Sequence, residues 1–423
     1  MTGLVLCALV VAAVVVMVLV RRPQTAVLPG SPAASASASA PGTDDDSDTR
    51  GDAASALLER LVGDLRAGTG DVAELAAPGD PAAARELRTL QDNVRALGLT
   101  DLSMRYVDED SARVDPTQQQ RLGGQAWVGD VQLSWRIGGW DARDSRLEVT
   151  MTFVQTPDGA RFVTARDDHG QPAPLWLLTS VQVQHSGRAL VLAAGGAPTR
   201  FTGLADQAVI DVHKVLPRWR GRLVVEVPAN PVQLGRVLGA QPDTYGGIAA
   251  VTTTVDGSLV PGAPVHIFVN RPIFDPLGPR GSQIVMSHEA THVATGAATS
   301  RMPTWLLEGF ADFVALDHMG LPVSVTASQI LATVRKSGPP AHLPGPRQFD
   351  PKNQALGASY EAAWLACRLL GQKYGERRLI AFYRAADRTG STTGPFRTVL
   401  GTDQRTFTRQ WRDYLRQLAT RSG

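Results

Sequence analysis

The chain has 423 residues, with 42 Lys and Arg against 40 Asp and Glu and a net charge of +2. That length exceeds the usual size of one hydrophobic core and predicts at least two, while the balanced charge excludes the basic excess that neutralises phosphate backbones, so nucleic acid is not an expected partner. The two cysteines, Cys7 and Cys367, can build neither a disulfide framework nor a Cys-based metal site, and Cys367, on a helical pattern with Leu365, Leu369 and Leu370, reads as a core residue.

Residues 3–20, GLVLCALVVAAVVVMVLV, form an uncharged run of 18, about the shortest helix that spans a bilayer. The run reads as a membrane anchor over 1–22 rather than a cleaved signal peptide, because the basic pair Arg21 and Arg22 follows it and no cleavage site ends it. Cys7 lies too near the start, and inside the run, to mark a lipoprotein. The positive-inside rule applied to Arg21 and Arg22 favours a cytoplasmic body. The Pro, Ala, Ser and Asp segment over 23–52 reads as a disordered tether, which suits a domain held off the outer face. The expectation taken forward is a single N-terminal pass with an extracytoplasmic body.

Two helical patterns follow, Leu57, Leu58, Leu61, Val62 and Leu65, then Leu87, Leu90, Val94 and Leu97, the second opened by Pro81 and closed by Gly98. The period then changes to two. Val131, Leu133, Trp135 and Ile137 alternate with polar residues, as do Leu147, Val149, Met151 and Phe153. A turn at 156–160 joins the second strand to RFVTA as a hairpin, and VQVQH meets RALVLAA across Ser186 and Gly187. Helices followed by a curved antiparallel sheet resemble, by element order, the cone-shaped fold of the nuclear transport factor 2 superfamily. The resemblance implies a sheet wrapped around a pocket, which in that superfamily serves ligand binding, chemistry or interaction. His169, in a loop, and His185, beside a turn, read as surface residues. The expectation is an accessory domain over 53–198.

AAGGAPTR near 193–200 marks the boundary to a second domain, 199–423. There Ala205, Val209, Val212 and Leu216 predict a helix, RLVVEV a strand, 232–238 a short helix, and IAAVTTTV and VHIFVN two further strands. The remainder is helical, including the patterns around Ala362, Leu365, Leu369 and Leu370, ERRLIAFYRAA and TFTRQWRDYLRQLA. The fold class expected for the whole chain is α+β: a transmembrane helix, a tether, a cone-like domain, and a mixed sheet lobe followed by a helical lobe.

The chemistry-bearing stretch is SHEATHVATGAATSRMPTWLLEGFADFVA, residues 287–315. On a helix His288 and His292 lie one turn apart on one face and can present two imidazole nitrogens to a single ion. Glu289 is not placed as a ligand, but stands where a carboxylate can act as general base towards water at the ion. Ile284, Val285, Met286 and Val293 supply an apolar face, and ATGAATSRMP breaks the helix. A second helix starts at Pro303 and carries Glu308 and Asp312 one turn apart. Glu308 suits a third ligand, because among Leu307, Phe310 and Phe313 a carboxylate without a cation would be costly. Asp312 can accept the N–H of a ligand histidine and fix its tautomer.

HEATH followed by PTWLLEGFADFVA resembles the gluzincin, or thermolysin-like, metallopeptidases, and within them the membrane or secreted proteins whose second motif reads W-x-x-E-G-x-A. The resemblance covers about residues 200–420 and implies one Zn2+ per chain held by His288, His292 and Glu308, with Glu289 as base and Asp312 as the partner of a ligand. It also implies a peptide or protein substrate lying along a sheet edge formed by IAAVTTTV or VHIFVN, and an oxyanion donor from the C-terminal helices, for which Tyr360 is the candidate and His342 the poorer one. His318 reads as a helix C-terminal residue, and His213 and His266 as structural.

The expected function is a membrane-tethered zinc peptidase, an endopeptidase by the lack of an N-terminal-amine anchoring motif, with the tether as a possible self-processing substrate. The alternative is a catalytically silent, zinc-containing scaffold that acts through its N-terminal domain. Retention of every expected catalytic group favours the enzyme.

Overall fold

A computed structural model describes residues 44–123, 125–166, 170–316 and 319–421. The apolar run at 3–20, residues 23–43 of the tether, His169 and His318 lie outside the described residues. Among the described residues, no helix is long and apolar enough to cross a membrane. The chain is α+β, with two sheets and many helices.

Helix α1, Asp44–Ala67, begins inside the stretch read as tether and so extends the first folded unit back from residue 53. Its predicted face, Leu57, Leu58, Leu61, Val62 and Leu65, is buried. Helix α2, Pro81–Leu97, is bounded by the expected signals. Asp80 accepts from the amides of Ala82 and Ala83, Pro81 occupies the first turn, and Gly98 turns left-handed at φ 59° to close the end.

Strands β1 (Leu99–Glu109), β2 (Ala126–Ile137), β3 (Ser145–Thr156) and β4 (Gly159–Thr164) form an antiparallel meander in that order. A short helix α3, Pro116–Arg121, links the first two strands. The hairpin expected at 156–160 is present, with Thr156 opposite Gly159. The alternation along β2 holds, but from Thr150 to Val154 β3 is buried on both faces.

A turn of helix, α4 (Leu175–Leu178), leads to β5 (Gln182–His185) and β6 (Ala189–Ala193), then α5 (Thr199–Val215), β7 (Leu223–Val227), α6 (Pro231–Leu238), β8 (Ala250–Thr254) and β9 (Val265–Val269). The second sheet has the order β5-β6-β7-β9-β8. The hairpin assigned to the first domain therefore belongs to the second sheet, because β6 pairs in parallel with β7 from Ala189 opposite Leu223 to Ala193 opposite Val227. AAGGAPTR, read as the boundary at 198/199, joins β6 to α5 beside that sheet. Of the two strands proposed to border a substrate, β8 lies at the edge and β9 inside.

The helical lobe comprises α7 (Arg271–Phe274), α8 (Gly278–Thr295), α9 (Thr304–Leu316), α10 (Val323–Thr326), α11 (Ser328–Ser337), α12 (Leu356–Tyr374), α13 (Glu376–Thr389), α14 (Thr393–Thr398) and α15 (Gln404–Arg421). Instead of two separate cores, buried apolar residues of both sheets and all the long helices make one continuous cluster, with a small satellite at Ala77, Ala126, Val154 and Val163.

Polar clamps reinforce the join between the sheets. Asn93 donates to the carbonyls of Trp176 and Thr179 and accepts from the amide of Val181. His266 on β9 lies fully buried between Glu226 of β7, 2.7 Å from Nδ1, and Asp141 of the β2–β3 loop, 3.1 Å from Nε2.

Candidate metal centre

Helix α8 packs against α5, β8 and α9. The hydroxyl of Ser287 donates to Asp211 of α5 at 2.8 Å and pins one side of the helix. Gly296, at φ 69°, ends α8, and Pro303 precedes α9, its carbonyl accepting from the amides of Leu306 and Leu307. The break expected between the two motif helices is therefore present, and it lets them pack together.

The geometry brings together His288, His292 and Glu308, which offer ligand atoms all within 4.8 Å of one another. His288 Nε2 is 2.8 Å from His292 Nε2 and 3.2 Å from Glu308 Oε2, and His292 Nε2 is 3.4 Å from the same oxygen. Around an ion with bonds of about 2.0–2.1 Å, tetrahedral ligand atoms stand about 3.3 Å apart. The observed separations bracket that spacing. His288 Nδ1 lies 2.7 Å from Asp312 Oδ1. Asp312 can hold a proton on Nδ1, which would leave the Nε2 lone pair for an ion bound between His288, His292 and Glu308.

The residue set is closed to solvent: His288, Glu289 and His292 are 0% exposed and Glu308 1%. Glu308 is therefore buried as its apolar neighbours predict. Burial pushes the His288 imidazolium down, but Asp312 and Glu308 more than reverse this and raise its pKa to about 10. His292 is lowered to about 4, chiefly by burial. Burial lifts Glu289 to about 7, against the pull of His288 and Thr252. Glu308 would be raised by burial, yet His292 and His288 hold it below its ordinary value, while Asp312 is raised by burial.

Three carboxyl groups, of Glu289, Glu308 and Asp312, thus meet two imidazoles in a buried site. His292 Nδ1, Glu308 Oε1, Glu289 Oε1, Asp312 Oδ2 and the Tyr360 hydroxyl are buried without a hydrogen-bond partner among the described residues. A divalent cation would neutralise that excess, and the two-imidazole, one-carboxylate donor set suits zinc. The residues present therefore fit such an ion.

Tyr360 reaches this centre from α12. Its ring is 6.2 Å from that of His288, edge to face, and Phe349 also packs against it at 5.1 Å. The hydroxyl is buried rather than at the surface, and burial together with Glu308, Asp312 and Glu289 pushes its pKa well above 10, so it remains a donor. Gly309 explains how α12 comes so close: a Cβ there would stand 2.3 Å from the carbonyl oxygen of Ala363 and 3.1 Å from Cys367 Sγ. The glycine of the second motif is thus a packing requirement beside a ligand.

His342 is exposed in the loop after α11 and does not join the cluster. His213 is half-buried against the carbonyl of Trp219, and His185 is exposed on β5. Sequence reasoning missed Thr252 of β8, whose hydroxyl donates to Glu289 Oε2 at 2.5 Å. A threonine in a run of three carries no chemical signal of its own. It also read His266 as structural without identifying its two acidic partners.

No family model matches the chain, and no curated protein matches it.

Proposed function

We propose that the chain is a zinc-dependent peptidase of the gluzincin kind, its helical lobe supplying the metal centre and its second sheet the substrate edge. The observation that carries this reading is the buried convergence of His288, His292 and Glu308 with Glu289 and Asp312 around them. When bound there, zinc would polarise a peptide carbonyl and bring the pKa of a water near neutrality.

The chain's own residues divide the remaining work. Asp312 holds the His288 tautomer that directs Nε2 inward. Glu289, with Oε1 unpartnered, takes the proton of the attacking water and returns it to the leaving amine. Tyr360 donates its hydroxyl to the oxyanion of the tetrahedral intermediate. The edge strand β8 supplies main-chain groups along which an extended peptide can lie.

The first unit, two long helices packed on an antiparallel meander, is proposed as an accessory domain of the nuclear transport factor 2-like kind. The apolar run at 3–20 is proposed to tether the body to a membrane, on its extracytoplasmic side.

The complete burial of the ligands favours a second reading, a silent zinc-containing scaffold. Against it stands Glu289: a fully buried carboxylate that ligates nothing is costly in a purely structural site. The deciding experiment is zinc analysis and peptide hydrolysis of the protein beside His292→Ala and Glu289→Gln. The enzyme reading expects about one zinc per chain, lost in His292→Ala, and hydrolysis abolished in Glu289→Gln with the metal retained. Undiminished hydrolysis by Glu289→Gln would overturn the mechanism.

A further inference from the structure

We propose that Thr252 is a positioning residue for the general base: its hydroxyl ties down one oxygen of Glu289 so that the other, Oε1, is the atom presented for proton transfer. The inference rests on the peptidase reading. HExxH fixes the backbone of Glu289 one residue from a ligand, but it does not fix the plane of the carboxylate. The terminal torsion of a glutamate is broad and roughly two-fold, so its rotamer leaves that plane open and a partner must set it.

Thr252 is that partner. Its Oγ1 stands 2.5 Å from Glu289 Oε2, and both residues are 0% exposed. The hydroxyl has one proton and a second acceptor in reach, the Glu289 main-chain oxygen at 3.3 Å. The shorter contact has the length of a charge-assisted O–H···O bond, so the carboxylate receives the proton. Glu289 Oε1 has no partner among the described residues.

Thr252 is itself held on two sides. It is β-branched and therefore stiff about χ1, and its strand is registered against β9, with Thr252 opposite Ile267. The strand proposed to align the peptide is thus also the strand that aims the base, so substrate register and base orientation share one support.

The test uses Thr252→Val, which keeps the shape and removes the donor, and Thr252→Ser, which keeps the donor. Zinc content and melting temperature are measured first. The Glu289 carboxylate stretch is then isolated in the infrared by subtracting the spectrum of Glu289→Gln, and hydrolysis of a quenched-fluorescence peptide library is followed. The expectation is unchanged zinc, a shifted carboxylate band in Thr252→Val only, and a kcat lower by about 10²-fold at constant KM, most of which Thr252→Ser recovers.

A band and kcat that Thr252→Val leaves in place would overturn the proposal, as would a kcat that falls only in step with lost zinc or lost fold. Should the wild type hydrolyse nothing while the band still shifts in Thr252→Val, the peptidase reading falls and the hold of Thr252 on Glu289 stands. The two failures are thereby separated.

Discussion

Replacing His266 by glutamine tests the charged join between the two sheets. In the folded chain, burial pushes the His266 imidazolium down, but Asp141 and then Glu226 outweigh this and raise its pKa to about 9 from an ordinary 6.5. A raised pKa contributes stability that is complete below 6.5 and is lost as pH rises through about 9. At 1.36 kcal/mol per pH unit, that interval corresponds to about 3 kcal/mol. Other groups titrate in the same range, so the informative quantity is the difference between wild type and His266→Gln, measured by urea unfolding at several pH values from 6 to 10. The stability gap is expected to narrow by about 3 kcal/mol across the window. A gap that stays constant with pH would show that His266 is not held as an imidazolium between the two carboxylates, and the reasoning from that geometry would fail.

Three further outcomes follow from the proposed metal centre and its packing. Asp312→Ala releases the His288 tautomer and is expected to weaken zinc binding about 10- to 100-fold, read by competition with a chelator. Tyr360→Phe removes only the hydroxyl, and kcat is expected to fall about 10²- to 10³-fold with zinc retained; an unchanged kcat would assign Tyr360 to packing. Gly309→Ala sets a methyl 2.3 Å from a main-chain oxygen, and overpacking of about 1–3 kcal/mol is expected to exceed the helix-propensity gain of about 1 kcal/mol. A Gly309→Ala protein as stable as the wild type in urea would contradict the close approach of α12.

Much of the site was legible because its chemistry is local. The spacing of His288 and His292, and of Glu308 and Asp312, becomes adjacency as soon as each segment is helical, and the structure places all four together. Thr252 and His266 were not legible in the same way, because their partners are 37 and 40 or more residues away and pair only through strand order. Most strands were read from the sequence, β2 and β3 from their period and β5 and β6 as a hairpin, whereas β1 was not singled out. The sheet that β5 and β6 join was not legible, because a two-residue turn announces a hairpin but is silent about which neighbour its second strand takes next. The Gly- and Pro-containing stretch at 193–200 looked like a linker, yet it turns a buried parallel strand into a helix.

That misplaced hairpin bears on where the chain can be cut. A fragment starting at 199 would carry His288, His292 and Glu308 and still lack two of the five strands of its sheet. It would expose the main-chain edge of β7, whose residues Leu223 to Val227 are all buried in the whole protein, as a sticky template for self-association. The part of the chain that carries the candidate metal centre is therefore not a detachable module. A proteolytic nick within β5 or β6 would strike the sheet on which α8 packs, so a cut there is expected to loosen the helix that carries His288 and His292.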